Sequence, residues 1–175
     1  MKKIITIFIL ISTSLFGQDL SNIPGMFLDI GYGARPMGMG GAYTAAANDV
    51  YSVIWNPAGL TNIQKQQASF FYTKQLSLIP YSMAAYANGL GKSNWSHGEA
   101  LLVSGDDALR ETVIYFGLGY KADRLLQNLS LGLNLKYKNA TFGQNTNGGE
   151  GRITGNAIGF GMDMGAIYQI HKKLV

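Results

Sequence analysis

An all-β fold, an antiparallel transmembrane β-barrel of about six strands with an N-terminal luminal hatch, is predicted by three observations. Of the 175 residues, 47% are hydrophobic and only 14% are charged, against about 25% charged in a soluble domain. The chain carries 23 glycines, 8 phenylalanines and 10 tyrosines. Past the N-terminus no stretch approaches the roughly 20 uninterrupted apolar residues of a membrane helix. A barrel instead spreads its apolar face over alternating positions and forms no such block.

The N-terminus predicts an envelope address. Lys2 and Lys3 form a basic region, residues 4–11 an apolar one, and residues 12–17 run from polar to small. This is the order of a secretory signal peptide, assigned to residues 1–17 with cleavage after Gly17. Leu15 departs from the small-x-small pattern at that bond. The chain has no cysteine, which excludes a lipoprotein anchor, disulfides and thiolate metal sites. Its formal charge of +4 falls to +2, 12 basic against 10 acidic residues, once Lys2 and Lys3 leave. No basic run remains to attract nucleic acid.

Residues 18–64 are expected to form a lead-in and a hatch, and residues 65–175 the strands. The hatch carries MGMGGAYTAAANDVYSVIWNPAGLT, residues 37–61. Asn56-Pro57 interrupts regular structure, because proline lacks an N–H and forces the residue before it into an extended conformation. Gly59 is expected to take a positive φ and turn the chain toward the first strand. Residues 43–47 are expected to form a short helix ending at Asn48. Gly38, Gly40 and Gly41 are expected to let the segment press closely on a wall, with Trp55 as its bulky anchor.

Six strands follow. NLSLGLNLKY alternates Leu129, Leu131, Leu133, Leu135 and Tyr137 with Asn128, Ser130, Gly132, Asn134 and Lys136, a period of two. AIGFGMDMGAIY sets Ile158, Phe160, Met162, Met164, Ala166 and Tyr168 against Gly159, Gly161, Asp163 and Gly165. TVIYFGLGYK places Ile114, Phe116, Leu118 and Tyr120 on one face. Residues 66–74, 80–89 and 95–104 are strand-like with weaker alternation. With the first strand starting in the periplasm, the connections at 75–79, 104–111 and 143–153 lie outside, and the longest polar loop lies among them, as in bacterial barrels. A soluble sandwich would also alternate. The glycines on the second face favour a barrel, because strand glycine marks close approach by other backbone, which a plug in the lumen supplies.

The same glycines invite a phosphate-loop reading, which the spacing rejects. Gly31 and Gly33 are followed by Pro36 where the dinucleotide fingerprint needs its third glycine, and Tyr43 fills that place after Gly38 and Gly40. No G-K-[ST] occurs. No G-x-S-x-G elbow surrounds a serine; His97 and His171 stand far apart in the sequence, and Asp106 and Asp107 are neighbours in a loop. No enzyme activity, cofactor or metal site is expected.

The run DIGYGARPMGMGGAYTAAANDVYSVIWNPAGLT resembles the N-terminal signature of outer-membrane barrels of the FadL-like superfamily, and most of all its PorV/PorQ branch. The resemblance rests on Gly33-Ala34-Arg35, on Gly38, Gly40, Gly41 and Ala42, and on Asp49 leading to Trp55, Asn56, Pro57, Ala58 and Gly59. It implies a barrel of about fourteen strands in the bacterial outer membrane, with a luminal hatch reaching to about residue 64. The PorV-type members it resembles serve type IX protein secretion and receive secreted cargo proteins. The fatty-acid transporters of the superfamily pass long-chain fatty acids or other hydrophobic small molecules as the hatch moves. Outer-membrane lipid is the common partner. Arg35 and Asp49, charges that cannot face lipid, are expected to pair within the hatch or with the wall. Six strands are fewer than the about eight of the smallest bacterial barrels, so the chain is expected to be the N-terminal part of a longer barrel, with assembly from several copies as the lesser alternative.

Overall fold

The structure, a computed structural model, describes residues 31–75, 77–89, 91, 93–143 and 154–170. The signal-peptide assignment, the lead-in to residue 30, His171 and nearly all of the 143–153 loop lie outside them. The fold is all-β in its bulk. Strands β1 (Gln67–Gln75), β2 (Ile79–Asn88), β3 (Trp95–Gly105), β4 (Leu109–Lys121), β5 (Leu129–Phe142) and β6 (Gly155–Tyr168) form one sheet in sequence order, and every neighbouring pair is antiparallel. Among the described residues β1 and β6 each pair on one side only. No described helix is long and apolar enough to cross a membrane.

The six predicted strands form within a few residues of their expected ends. β4, β5 and β6 run longer than their alternation suggested, because polar residues at their ends still pair: Arg110 faces Thr141 and Glu111 faces Ala140. The 104–111 connection therefore shrinks to residues 106–108. Asp106 makes that turn, accepting from the backbone N–H of Ala108 at 2.8 Å and of Leu109 at 3.3 Å. These bonds, that from Ala108 first, hold its carboxyl below the usual range. Asp107 points to solvent, 3.8 Å from Arg110.

Alternation sorts the side chains onto two unlike faces. Phe70, Ile114, Phe116, Leu133, Leu135, Ile158, Phe160, Met162 and Met164 are all exposed on one face; Phe160 is 83% exposed, which shows how little covers it. Trp95 and Tyr120 stack at its lower end, ring centroids 4.6 Å apart. The other face carries Tyr81, Met83, Ala85, Leu102, Val113 and Tyr115, buried with residues of the N-terminal segment.

That segment contains two short helices, α1 (Ala34–Gly38) and α2 (Ser52–Trp55), and a 3-10 helix, Pro57–Asn62. It reaches all six strands. Tyr51 bonds Ser69 of β1, Tyr32 meets Tyr81 of β2 edge to face, and Leu60 lies against Gly98 of β3. Val53 packs on Gly117 of β4, Ala58 on Gly132 of β5 and Asn56 on Gly165 of β6. Six strands at about 4.8 Å spacing span about 24 Å, so one small segment reaches them all only where the sheet curls around it.

The helix expected over residues 43–47 does not form. Gly40 and Gly41 both hold positive φ, 62° and 80°, and residues 41–46 run as turns. Thr44 O, which would close a helical turn, instead accepts from Asn56 Nδ2 at 2.9 Å, and Ala47 O accepts from Asn62 Nδ2 at 3.3 Å. Tertiary bonding overrides the alanine-rich propensity of this stretch.

Candidate functional site

The distinctive chemistry of the molecule is the seat of the N-terminal segment on the glycine face of the sheet. Asn56 is its pivot. Proline after it holds its backbone extended, φ −161° and ψ 104°, as the pyrrolidine ring requires. Its Oδ1 accepts from the N–H of Ala58 at 3.1 Å and caps the 3-10 helix. Its Nδ2 donates to Thr44 O and, at 3.5 Å, to Ala166 O of β6. One buried side chain thus ties together the turn, the 3-10 helix and the sheet.

At β5 and β6 the start of the 3-10 helix and its cap lie against the sheet with no room for a side chain at the facing glycines. A Cβ on Gly132 would stand 2.1 Å from the Ala58 nitrogen and 2.3 Å from the Pro57 carbonyl carbon. A Cβ on Gly165 would stand 2.1 Å from Asn56 Oδ1. Two buried bonds fix the position: Thr61 Oγ1 to Ser130 Oγ at 2.7 Å, and Asn134 Nδ2 to Val53 O at 2.6 Å. Ser130, Gly132 and Asn134 are the polar-side residues that alternate with the leucines of β5, so that face fits the N-terminal segment closely.

The motif glycines behave differently from expectation. Gly38 and Gly40 have open space where a Cβ would be, and at Gly41 a Cβ would meet only Trp55 atoms at 3.7 Å and beyond. None of the three presses on the sheet; Gly40 and Gly41 serve their positive φ. Gly59 is the reverse case. It lies inside the 3-10 helix without the positive φ expected of it, and a Cβ there would come within 2.5 Å of Ala47 O. Its smallness brings two parts of the segment together. Trp55 anchors the segment to itself, with Nε1 donating to Tyr32 O at 3.0 Å and its ring edge-on to Tyr43.

Arg35 and Asp49 come together, Nη1 to Oδ2 at 2.9 Å, and Arg35 also donates to Asn48. Asp49 has two more bonds, from the Tyr43 hydroxyl at 2.6 Å and the Tyr51 N–H at 2.9 Å. Burial first, and the bond to Asp49 second, push the Tyr43 phenol above its ordinary range, so it stays a neutral donor. Arg35 is 46% exposed, and solvent screening reduces its share to less than about 1 kcal/mol. Asp49→Ala leaves two donors without their acceptor and is expected to cost about 2–3 kcal/mol. Arg35→Ala should therefore loosen the segment less than Asp49→Ala, measured as the rate of protease cleavage within residues 31–66. Unchanged cleavage in Asp49→Ala would disprove the role assigned to this cluster.

Sequence reasoning missed Thr61, Ser130, Asn134 and Tyr43. Small polar residues alternating with leucine in a strand were the available signal for Ser130 and Asn134, while Thr61, in the 3-10 helix, gave none. Tyr43 gave none, because its partner depends on how the turn folds back. A cavity of about 390 Å³ opens beside the seat, lined among others by Arg35, Asn48, Asn62, Lys121 and Asn128. Lys136 and Asp163 pair above it at 2.6 Å. Among the described residues no three His, Asp or Glu side chains gather to hold a metal ion. His97 lies on the outer face, its Nδ1 2.9 Å from Glu99 Oε1. No protein-family model, no curated protein and no solved structure matches the chain.

Proposed function

We propose that the chain is a wall segment and hatch of a bacterial outer-membrane barrel of the PorV type, acting in protein secretion or envelope organisation and not as an enzyme. The observation that carries this reading is the contrast between the two faces. Exposed Phe, Leu, Ile and Met are grouped across β4, β5 and β6, while the opposite face is covered by the N-terminal segment, which packs on apolar residues of β2 to β4 and on the glycines and small polar residues of β5 and β6. A water-exposed monomer rarely shows a contiguous apolar patch of more than a few hundred Å²; lipid covers such a face at no cost. On this reading the one-sided pairing of β1 and β6 requires further strands beside them, since an open sheet edge in hydrocarbon is very costly.

The seat favours the secretion or envelope role over a channel for fatty acids or other hydrophobic solutes. The hatch is held by buried hydrogen bonds and by backbone packed on glycine, and the cavity beside it mixes Arg35, Lys121 and asparagines with Ala45, Ala46, Ala47 and Ile167. A hydrophobic solute would have to break those bonds and pass two cations. Deletion of the gene is expected to leave secreted cargo in the periplasm, measured in periplasmic and surface fractions. Normal cargo export, together with uptake of labelled fatty acid by vesicles containing the protein, would reverse the preference. Recovery of the protein away from the outer-membrane fraction would remove both.

A further inference from the structure

We infer that the outer face around Glu99 is an intramembrane docking site for a different membrane protein, one whose apolar surface presents a single lysine or arginine. The inference rests on the membrane reading above and deepens it. On the outer faces of the six strands, away from the strand ends, the described side chains are apolar, aromatic or uncharged polar, with His97 and Glu99 as the exceptions. Glu99 lies four residues along β3 from Trp95, which stacks with Tyr120 at the strand end. Four residues rise about 13 Å, or about 10 Å in depth at a barrel tilt of about 40°. That depth is well inside an apolar band about 25 Å tall. Ionisable groups at such depth are costly and mark function when they have a partner.

His97 supplies one contact to the carboxylate, at 2.9 Å. An ionised carboxylate has about four acceptor sites on two oxygens, and the 40% exposure of the Glu99 side chain leaves room for another donor. Beside it the surface is recessed. A shallow hollow of about 350 Å³ opens over Ala84, bounded by Tyr86, Leu101, Ile114 and Glu99. The cross-strand partners explain it: Ala84 stands opposite Leu101, and Leu101 opposite Ile114, so one small residue lies beside two larger ones. An apolar recess with a single carboxylate at its rim fits an apolar anchor and an adjacent cation from one partner surface.

Charge position selects the occupant. Acyl chains offer no donor, and headgroup cations remain at the edges of the band. Among the described strand residues of a second copy of this chain, the outward-facing cations are Lys74 of β1 and Arg110 of β4, both next to the opposite strand ends from Trp95. Two copies in the same membrane orientation would hold those cations at the far rim, out of reach of Glu99. A different protein with its cation at mid-depth meets the requirement.

The test places a photo-crosslinking amino acid at Leu101, and as a control at Leu133, in the full chain in living cells. The expected result is an adduct with a second protein from position 101 and not from 133, mapping beside a lysine or arginine. Glu99→Gln and Ala84→Leu should each lower its yield by about tenfold. Reversing the mapped cation to glutamate should abolish the adduct, and Glu99→Lys should restore it. Lipid adducts alone, an adduct with a second copy of this chain, equal adducts from position 133, or an adduct surviving either substitution would each overturn the inference. Fractionation of the same cells separates this failure from that of the membrane reading, which requires the protein in the outer-membrane fraction.

Discussion

Gly132→Val is expected to drive the N-terminal segment off the sheet while the strands stay paired. The added Cβ would overlap the Ala58 nitrogen, the Pro57 carbonyl carbon and the Ala58 Cα, the last at 2.8 Å. All three are backbone atoms of a 3-10 helix held by Asn56 and Thr61, so no rotamer change relieves the overlap. Overpacking against atoms that can yield costs about 1–3 kcal/mol; here the cost should reach or pass the upper end. The chain lacks cysteine, so Ala58→Cys supplies a single reporter thiol, buried in the parent. Its maleimide labelling should be slow in the parent background and rise at least tenfold with Gly132→Val. Gly161→Ala is the matched control, because its Cβ would meet the flexible Lys136 Cε at 3.0 Å. Equal labelling in all three backgrounds would show that the glycine face is not a seat.

Asn56→Ala is the second large effect. It removes the cap on the buried Ala58 N and the donor to the part-buried Thr44 O and Ala166 O. An N-cap loss of about 1 kcal/mol with a further part-buried hydrogen bond at about 1 kcal/mol gives a total of about 2 kcal/mol. Heat-modifiable gel mobility measures it as an earlier transition. The same residue is the obstacle to a side chain at position 165. Gly165→Ala should therefore cost much less in the Asn56→Ala background than in the parent, a coupling typical of residues in contact. Additive losses would mean that Asn56 and Gly165 do not share the seat.

The strands were legible because alternation is a local property, repeated ten or more residues at a time in β5 and β6. Leucines, isoleucines and methionines on one side and glycines on the other marked both the strands and their faces. The N-terminal segment was legible as a punctuated, small-residue stretch ahead of the strands, and Asn56-Pro57 as its break. Its contacts were not. Gly38, Gly40 and Gly41 stand in a conspicuous cluster yet touch little, whereas Gly59, Gly132 and Gly165 lie far apart in the chain and meet at one place. Close approach is decided by tertiary position, which a single residue type does not encode. The helix expected at residues 43–47 failed for the same reason, since Asn56 competes for the Thr44 carbonyl from outside the window that propensity sees. Glu99 escaped notice because its strand alternates weakly, and only the register against Tyr86 and Phe116 places its carboxylate on the apolar side.

The glycine seat also bears on how the strands find their alignment. A slip of one residue in any pairing exchanges the two faces of a strand. On β5 it would turn Leu131 and Leu133 toward the Pro57-Ala58 backbone, where even a single Cβ does not fit. On β6 the slip would aim Met164 at Asn56. The N-terminal segment precedes β1 in the chain and is joined to it by a short connection, so it is on hand as each hairpin docks. It acts as a gauge: a strand in the correct register closes over it, and a strand out of register is held off. Removing the segment should then leave a sheet that still forms hairpins but pairs them in several alignments.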